Sequence, residues 1–419
     1  MKLLYVCSAD TGGILDYAVY QVRAMALAGI DVIFLCKPTF PVGRLPTGVH
    51  VEILELENVE KLKMFYGRGL LGRIFKAIGM ISELRREAKR VEKIASMLAS
   101  GSFQFLRADA PLVTRTAVSG DCNSYDDVCV LFDTFKEYFS PLWVWPLKRL
   151  AKKGVKIGTI AHDPVRNFIV GPKWWHRWSV RLGYSFVRHV FVHDDTPVDF
   201  GGPKPVDLEV HEVPFGPYDI ASPTCSRESA RDRFGFRADD IIFFSFGQIR
   251  DGKNLDLFLR AMSKLPKHVK FLVAGTVQSG SSRPIEYYQQ LAEALGVSGQ
   301  CRWECRRIPD EDVGDLFNLC DFVLLTYSAV FHSMSAVLGT AVSARKPVLA
   351  SSGEGPLKKM VEKYRLGVFV RPDDADAILK GAEKMIEKYK SSERPDWARY
   401  ECDNSWQRNV EIIMQAFQV

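Results

Sequence analysis

Lys2-Leu3-Leu4-Tyr5-Val6-Cys7 opens the chain, Thr11-Gly12-Gly13 follows, and Val32-Ile33-Phe34-Leu35-Cys36 comes after a helical interval. The order of these pieces decides the fold. Leu3 to Cys7 is a continuous apolar run, the pattern of a parallel strand covered on both faces. The glycine pair marks a turn where the backbone makes a close approach. Ala18, Val19, Val22, Met25 and Ala26 then recur at helical spacing, and Gly29 ends that helix. Val32–Cys36 reads as a second buried strand. Strand, glycine turn, helix and parallel strand make the first unit of a doubly wound α/β sheet. The dinucleotide fingerprint G-x-G-x-x-G is absent, so Gly12 and Gly13 predict close approach to a ligand without specifying NAD.

The alternation continues. Val128–Phe132, Val155–Ile160 and Val190–Val192 read as strands, with a basic helix near Leu142–Lys153. After Pro214-Phe215-Gly216-Pro217 the pattern begins again. Ile241–Phe246 is a strand closed by Gly247, a helix covers Leu255–Leu265, and Val269–Gly275, Asp321–Leu325 and Pro347–Ala350 are further strands. The chain of 419 residues therefore divides into two doubly wound domains, 1–215 and 216–396. The stretch 397–419 carries Trp406, Val410, Ile413, Met414 and Phe417 and is expected to pack back on the first domain.

With 47% hydrophobic and 25% charged residues, the chain falls among globular proteins, which excludes disordered, collagen-like and disulfide-stapled classes. No apolar run approaches the roughly 18 residues that span a bilayer. The first apolar run is too short for a signal peptide. Nine scattered cysteines, an odd number, suit free thiols in a reducing cytoplasm. Cys301 and Cys305 have no second pair at zinc-ligand spacing, so no metal site is expected there.

Several blocks in the second half, taken in order, resemble one family. They are Phe246-Gly247-Gln248-Ile249-Arg250 with Lys253 and Asn254, Arg307-Ile308-Pro309-Asp310 with Cys320-Asp321, and Ser335-Ala336-Val337-Leu338-Gly339-Thr340 with Lys346-Pro347-Val348 and Leu366-Gly367-Val368. The family is the retaining family 4 glycosyltransferases, the group 1 glycosyltransferases. The resemblance extends to Thr11-Gly12-Gly13 and Ile160-Ala161-His162-Asp163 in the first half. It implies the GT-B fold: two Rossmann-like domains facing each other across a cleft, the first binding the acceptor and the second a nucleotide-sugar donor.

By that resemblance Gly247, Arg250 and Lys253 form a phosphate clamp. Fixed cations beside the departing diphosphate lower the barrier electrostatically, so no metal and no other cofactor is required. Ser335, Ala336 and Val337 stand where a helix begins and its N–H groups suit a phosphate; a plain cap is the alternative for Ser335. Ile308 and Pro309 are placed beside the nucleobase, or else in the core. His162, at a strand's C-terminal end, is placed near the reacting sugar, with Asp163 as its orienting partner or a helix cap. Gly12 and Gly13 let the first loop approach the donor. The family's Glu-x7-Glu pair falls here on His332 and Thr340, neither a carboxylate. Glu354 is the nearest acidic substitute by sequence.

The net charge of +6 is unevenly spread. Lys61–Lys93 holds ten Lys/Arg against three Glu, and Lys148–Arg188 holds ten against Asp163 alone. Phe65, Tyr66, Trp174, Trp175 and Trp178 lie among them. Cations with interleaved aromatics suit an anionic membrane surface, whereas no nucleic-acid motif accompanies the charge. The expectation is a hexosyltransferase-like enzyme, cytoplasmic or peripheral on a membrane's inner face. It would act in cell-surface polysaccharide or glycoconjugate synthesis, moving a sugar with retention of configuration to a glycan, lipid-linked or other acceptor. A non-catalytic GT-B protein and a nucleotide-sugar epimerase of the same fold are the alternatives.

Overall fold

The computed structural model describes residues 2–9, 12–53, 70–101, 124–134, 136–165, 169–278, 282–389 and 394–418. The chain packs as two units, Met1–Pro214 with Trp406–Val419, and Phe215–Ser405.

The first unit holds β1 Lys2–Cys7, β2 Val32–Cys36, β3 His50–Ile53, β4 Val128–Phe132, β5 Lys156–Ile160, β6 His189–Val192 and β7 Glu209–Glu212. They form one parallel sheet in the order β3-β2-β1-β4-β5-β6-β7. Every residue of β1, β2 and β4 is buried, as a sheet with helices on both faces requires. Leu4, Val6, Ile33, Leu35, Val130 and Ile157 pack with Val91, Ile94 and Leu98 of helix Leu70–Ala99. Burying each such side chain stabilises the fold by about 1.5–3 kcal/mol.

The second unit holds β8 Ile241–Phe246, β9 Val269–Ala274, β10 Cys301–Glu304, β11 Phe322–Thr326, β12 Val348–Ser351 and β13 Gly367–Phe369. Its parallel sheet runs β10-β9-β8-β11-β12-β13. The core is aromatic: Phe258 touches Phe243 and Phe271 at ring separations of 5.2 and 4.7 Å.

Strand order reverses at β1/β4 in the first sheet and at β8/β11 in the second. A doubly wound sheet opens a crevice at the carboxyl ends of the strands at such a switch point, where ligands bind. Both stretches that the sequence marks with glycines, 11–13 and 247, follow strands at a switch point.

Sequence patterning does not reveal β3, β7, β10 or β13. Each is three or four residues long; β7 is exposed but for half-buried His211, β3 and β10 mix charged with apolar residues, and β13, Gly367-Val368-Phe369, is too short to register. Short polar edge strands carry little hydrophobic signal, because the same charges that blunt an edge against aggregation hide it from view.

Helix Trp406–Gln418 completes the first unit. Its Asn409 is fully buried and donates to the Tyr17 hydroxyl (2.8 Å) and the Pro214 carbonyl (2.8 Å), while accepting from Gln21 Nε2 (2.7 Å). Phe417 seats on Gly158, where any Cβ would stand 2.9 Å from its ring. The preceding helix, Trp397–Asp403, packs in the second unit rather than returning to the first: Tyr400 donates to the Phe215 carbonyl, and Asp403 accepts from Tyr364. The expected return thus begins at Trp406 instead of Trp397.

Candidate functional site

In the second unit the chain leaves β8 through Gly247, which adopts φ +89°. A side chain is disfavoured there on conformation alone. Its missing Cβ would lie 3.6 Å from Lys253 Nζ and 3.8 Å from Val337 Cγ2. One glycine therefore marks the point where the strand end, the lysine and the first turn of helix Ala336–Ser343 meet. Gly275, at the end of β9, packs against Gly247 so closely that a Cβ would fall 2.0 Å from the Gly247 carbonyl oxygen.

Lys253 closes a short turn, Asp251–Lys253, and is 8% exposed. Its ammonium donates to the Phe246 carbonyl, and its own carbonyl accepts from Thr326 Oγ1 (3.0 Å) at the end of β11. The switch point is thereby tied across β8 and β11. Burial, and then the neighbouring Arg250, push the lysine down to about 7. Among the described residues no carboxylate pairs with Arg250 or Lys253. The acidic residue between them, Asp251, is turned the other way and accepts from the Arg283 N–H (3.0 Å) and Tyr288 hydroxyl (2.8 Å). Two cations packed together with no counter-charge leave a site that an anion would complete.

Helix Ala336–Ser343 adds the third element. Its cap residue Ser335 is buried and makes no capping hydrogen bond, because the hydroxyl is shared with Tyr327 (2.9 Å). Leu338 N–H donates to the Ser335 carbonyl (3.0 Å), and the Ala336 and Val337 N–H groups ahead of it point out from the helix start, where an anion would accept from them. Thr340 Oγ1 donates back to the Ala336 carbonyl (3.4 Å). His332 lies on the loop before this helix, its Nδ1 2.8 Å from the Glu354 carbonyl. Gly353 makes room for that ring, since a Cβ would stand 2.4 Å from His332 Cε1. The Glu354 carboxylate pairs instead with Lys358 (2.7 Å). Ile308 is buried, and Pro309 precedes helix Asp310–Leu319 at its N-cap.

In the first unit, Gly12 takes φ +79° and opens helix Gly12–Leu27 beside Gly13, both exposed. Thr11 lies outside the described residues. His162 follows β5, and its Nε2 is 3.2 Å from Asp133 Oδ1 at the end of β4. Its Nδ1 faces His193 Nε2 at 3.3 Å, and His193 Nδ1 faces the Val213 carbonyl at 3.3 Å. Burial pushes His193 down to about 3, so it stays neutral. A neutral His193 that donates its Nδ1–H to the Val213 carbonyl presents its Nε2 lone pair toward His162. The carboxylate that faces His162 across the sheet is Asp133, while Asp163, its neighbour in sequence, is exposed. Sequence reasoning missed Asp133 and His193. Each stands directly after a predicted strand, the same signal that marks His162.

A family model described as Glycosyl transferases group 1 matches residues 226–401. Those residues belong to the group 1 glycosyl transferases. The matched segment contains Gly247, Arg250, Lys253, Ile308, Pro309, His332 and the helix Ala336–Ser343. A D-inositol 3-phosphate glycosyltransferase of Mycobacteroides abscessus is 29% identical over 238 residues, 54% of this chain and 48% of that protein. The chain spans about half the length of the curated relatives it matches. Among solved structures, Anabaena HepE in complex with UDP superposes over 100% of this chain and 99% of its own, with TM-score 0.63 and 14% identity. WaaG, a glycosyltransferase involved in lipopolysaccharide biosynthesis, covers 99% and 98% with TM-score 0.58 and 14% identity. The fold is GT-B, and the group 1 segment is its second Rossmann-like unit.

Proposed function

We propose that this chain is a glycosyltransferase that takes a sugar from a nucleoside-diphosphate sugar and passes it, with retention of configuration, to a glycan or lipid-linked acceptor. The observation that carries this reading is the pair Arg250 and Lys253, buried or half-buried at the β8/β11 switch point without a carboxylate partner. When the glycosidic bond to the diphosphate breaks, negative charge develops on the leaving oxygen. Two fixed cations and the first turn of helix Ala336–Ser343 receive that charge without reorganising. Lys253, held down to about 7 by burial and then by Arg250, becomes fully charged as the diphosphate arrives. HepE's complex with UDP supports a uridine nucleotide as the donor's carrier; the curated relatives are named for D-inositol 3-phosphate and WaaG for lipopolysaccharide biosynthesis, which supports a hydroxylated acceptor, either small or carried on a larger molecule.

The roles of the remaining residues follow from their places. Gly247 lets the diphosphate approach the backbone, Ile308 and Pro309 border the base, and Thr340 has only an intrahelical hydroxyl to offer the ribose. His332 takes the position of the first family glutamate, beside the transferred sugar. In the acceptor-binding first unit, His162 presents an imidazole whose orientation Asp133 and His193 fix, and Gly12 and Gly13 let the first loop come close. No metal is needed for departure of the leaving group, so turnover is expected to survive EDTA.

A membrane-borne acceptor suits the first unit's surface. Trp174 and Trp178 are exposed on helix Lys173–Tyr184 beside Lys173, Arg177 and Arg181, and Trp145 is exposed beside Lys148 on helix Trp145–Lys152. Residues 61–69 of the other basic stretch, with Phe65 and Tyr66, lie outside the described residues. Among the described residues no helix is long and apolar enough to cross a membrane, so attachment would be at the surface, through basic residues and aromatic anchors.

The deciding experiment measures UDP binding by calorimetry and turnover with UDP-, GDP- and ADP-sugars. Wild type should bind a nucleoside diphosphate. Arg250→Ala should lose 10²–10³-fold in turnover, on the order of one removed oxyanion donor, with an unchanged circular dichroism spectrum. Unaltered nucleotide affinity in both Arg250→Ala and Lys253→Ala would overturn the reading.

A further inference from the structure

Away from the donor site, the edge of the first sheet gathers three potential ligands that sequence spacing does not connect. β6 and β7 pair with His189 opposite Glu209 and Phe191 opposite His211. Alternate strand residues point to one face, so His189, Glu209 and His211 share a face at the sheet's edge. His189 Nδ1 is 3.1 Å from His211 Nε2. Glu209 Oε2 lies 3.9 Å from the first nitrogen and 3.7 Å from the second. The point equidistant from these three atoms within their own plane is about 2.1 Å from each, so an ion seated slightly above that plane, as a tetrahedron requires, stays within about 0.2 Å of the zinc bond lengths to imidazole nitrogen and carboxylate oxygen.

We propose that His189, His211 and Glu209 bind one divalent first-row cation, zinc, with water at the fourth position. A simple hydrogen-bonded histidine pair accounts for only part of the arrangement. One proton can lie between the two nitrogens, and Glu209 Oε2 is beyond hydrogen-bond reach of both, yet it turns toward them. Its other oxygen is 3.3 Å from Arg188, which fixes the carboxylate's orientation. The His189 ring is held edge-on by Phe417 at 5.4 Å. Two imidazoles and a carboxylate are a borderline donor set that zinc accepts in a tetrahedron. Lys156 and Arg188 stand nearby and oppose added positive charge, so the expected affinity is micromolar and not tighter.

The ion would join the exposed edge strand β7 to β6, and through His189 it would bear on Phe417 of the C-terminal helix. It would brace the first unit and take no part in departure of the leaving group. Sequence spacing hides it, because 22 residues separate the two histidines and only strand pairing unites them.

The test uses the metal-free full chain, equilibrium dialysis against Zn²⁺ at micromolar concentration, and Co²⁺ as an absorbing probe. Wild type should take up one equivalent, show the visible bands of tetrahedral Co²⁺, and melt at a higher temperature with zinc. His211→Ala should lose the equivalent and the bands. Glu209→Gln, at a half-exposed position where folding is not at risk, should weaken binding at least tenfold. A wild type that takes up no zinc overturns the proposal. So does retention of the equivalent at wild-type affinity in His211→Ala or Glu209→Gln, which would place the metal on the cysteines or elsewhere.

Discussion

The two switch points of this chain are built from similar parts and left in opposite electrostatic states. At β1/β4 the side chains satisfy one another. Asp133 faces His162, His162 faces His193, and His193 faces a main-chain carbonyl, with Tyr5 and Cys7 also directed at Asp133. At β8/β11 the charges are not balanced: Arg250 and Lys253 share a small volume, and Asp251 is committed to Arg283 and Tyr288. A closed network serves the fold and fixes a side chain's direction. An open one stores a requirement for an anion. On the proposed function, the first cluster positions a side chain and the second binds an anion.

The sharpest way to break this comparison is to remove charge from the open cluster while keeping its volume. Lys253→Met should reduce turnover on the order of 10²–10³-fold. Its melting temperature should hold or rise, since a buried unpaired ammonium opposes folding. A melting temperature lowered as much as activity would make Lys253 a structural residue. The converse change belongs to the closed cluster. Asp133→Ala removes the carboxylate that faces His162 and the longer contacts of Tyr5 and Cys7, whose shorter ones go to Gln21 and the Ala9 carbonyl, and should cost about 1–3 kcal/mol of stability by urea unfolding. UDP affinity should not change; a large loss of it would merge the two clusters into one.

Proton linkage gives a smaller but more specific effect. Below pH 7 Lys253 is already charged before nucleotide arrives, so affinity should be flat. Above pH 7 the free lysine is neutral, binding must take up a proton, and affinity should fall by up to about tenfold per pH unit until the bound-state pKa is passed. Calorimetry of UDP binding in buffers of different ionisation enthalpy measures the proton directly. No proton uptake at pH 8 would mean that Lys253 keeps its charge unaided. The smallest effect is expected at Thr340, whose hydroxyl is spent within its own helix. Thr340→Val should alter UDP affinity by less than about threefold, or about 0.5 kcal/mol. A tenfold loss would show that the hydroxyl leaves the helix to reach the ribose.

How much of this was legible beforehand follows the burial of each element. Leu3–Cys7, Val32–Cys36 and Ile241–Phe246 are apolar on both faces, so composition alone marks them as central parallel strands. Ser335 as the residue before a helix was readable too, although its hydroxyl serves Tyr327 and not the cap. The edge strands were illegible because all are short, and β3, β7 and β10 are charged as well. Asp133 and His193 were missed for another reason. Their meaning depends on which strands lie side by side, and strand order is a property of the folded sheet that no local window contains. His162 stands at a strand end as its place in the sequence indicates, but the sequence offers only the adjacent Asp163, as orienting partner or helix cap, whereas the sheet brings up a carboxylate 29 residues earlier.

The return of helix Trp406–Gln418 to the first unit sets an order of events during synthesis. Asn409, Ile413 and Phe417 are core residues of a unit that otherwise ends at Pro214. As the chain emerges from the ribosome, that unit has its sheet but lacks the cover for Tyr17, Gln21 and Gly158. All of Phe215–Ser405 is made before the missing piece appears, so the second unit can fold while the first still waits. A chaperone guarding the nascent chain would therefore meet the open face around Gly158, and the donor-binding half would be finished before its elder neighbour.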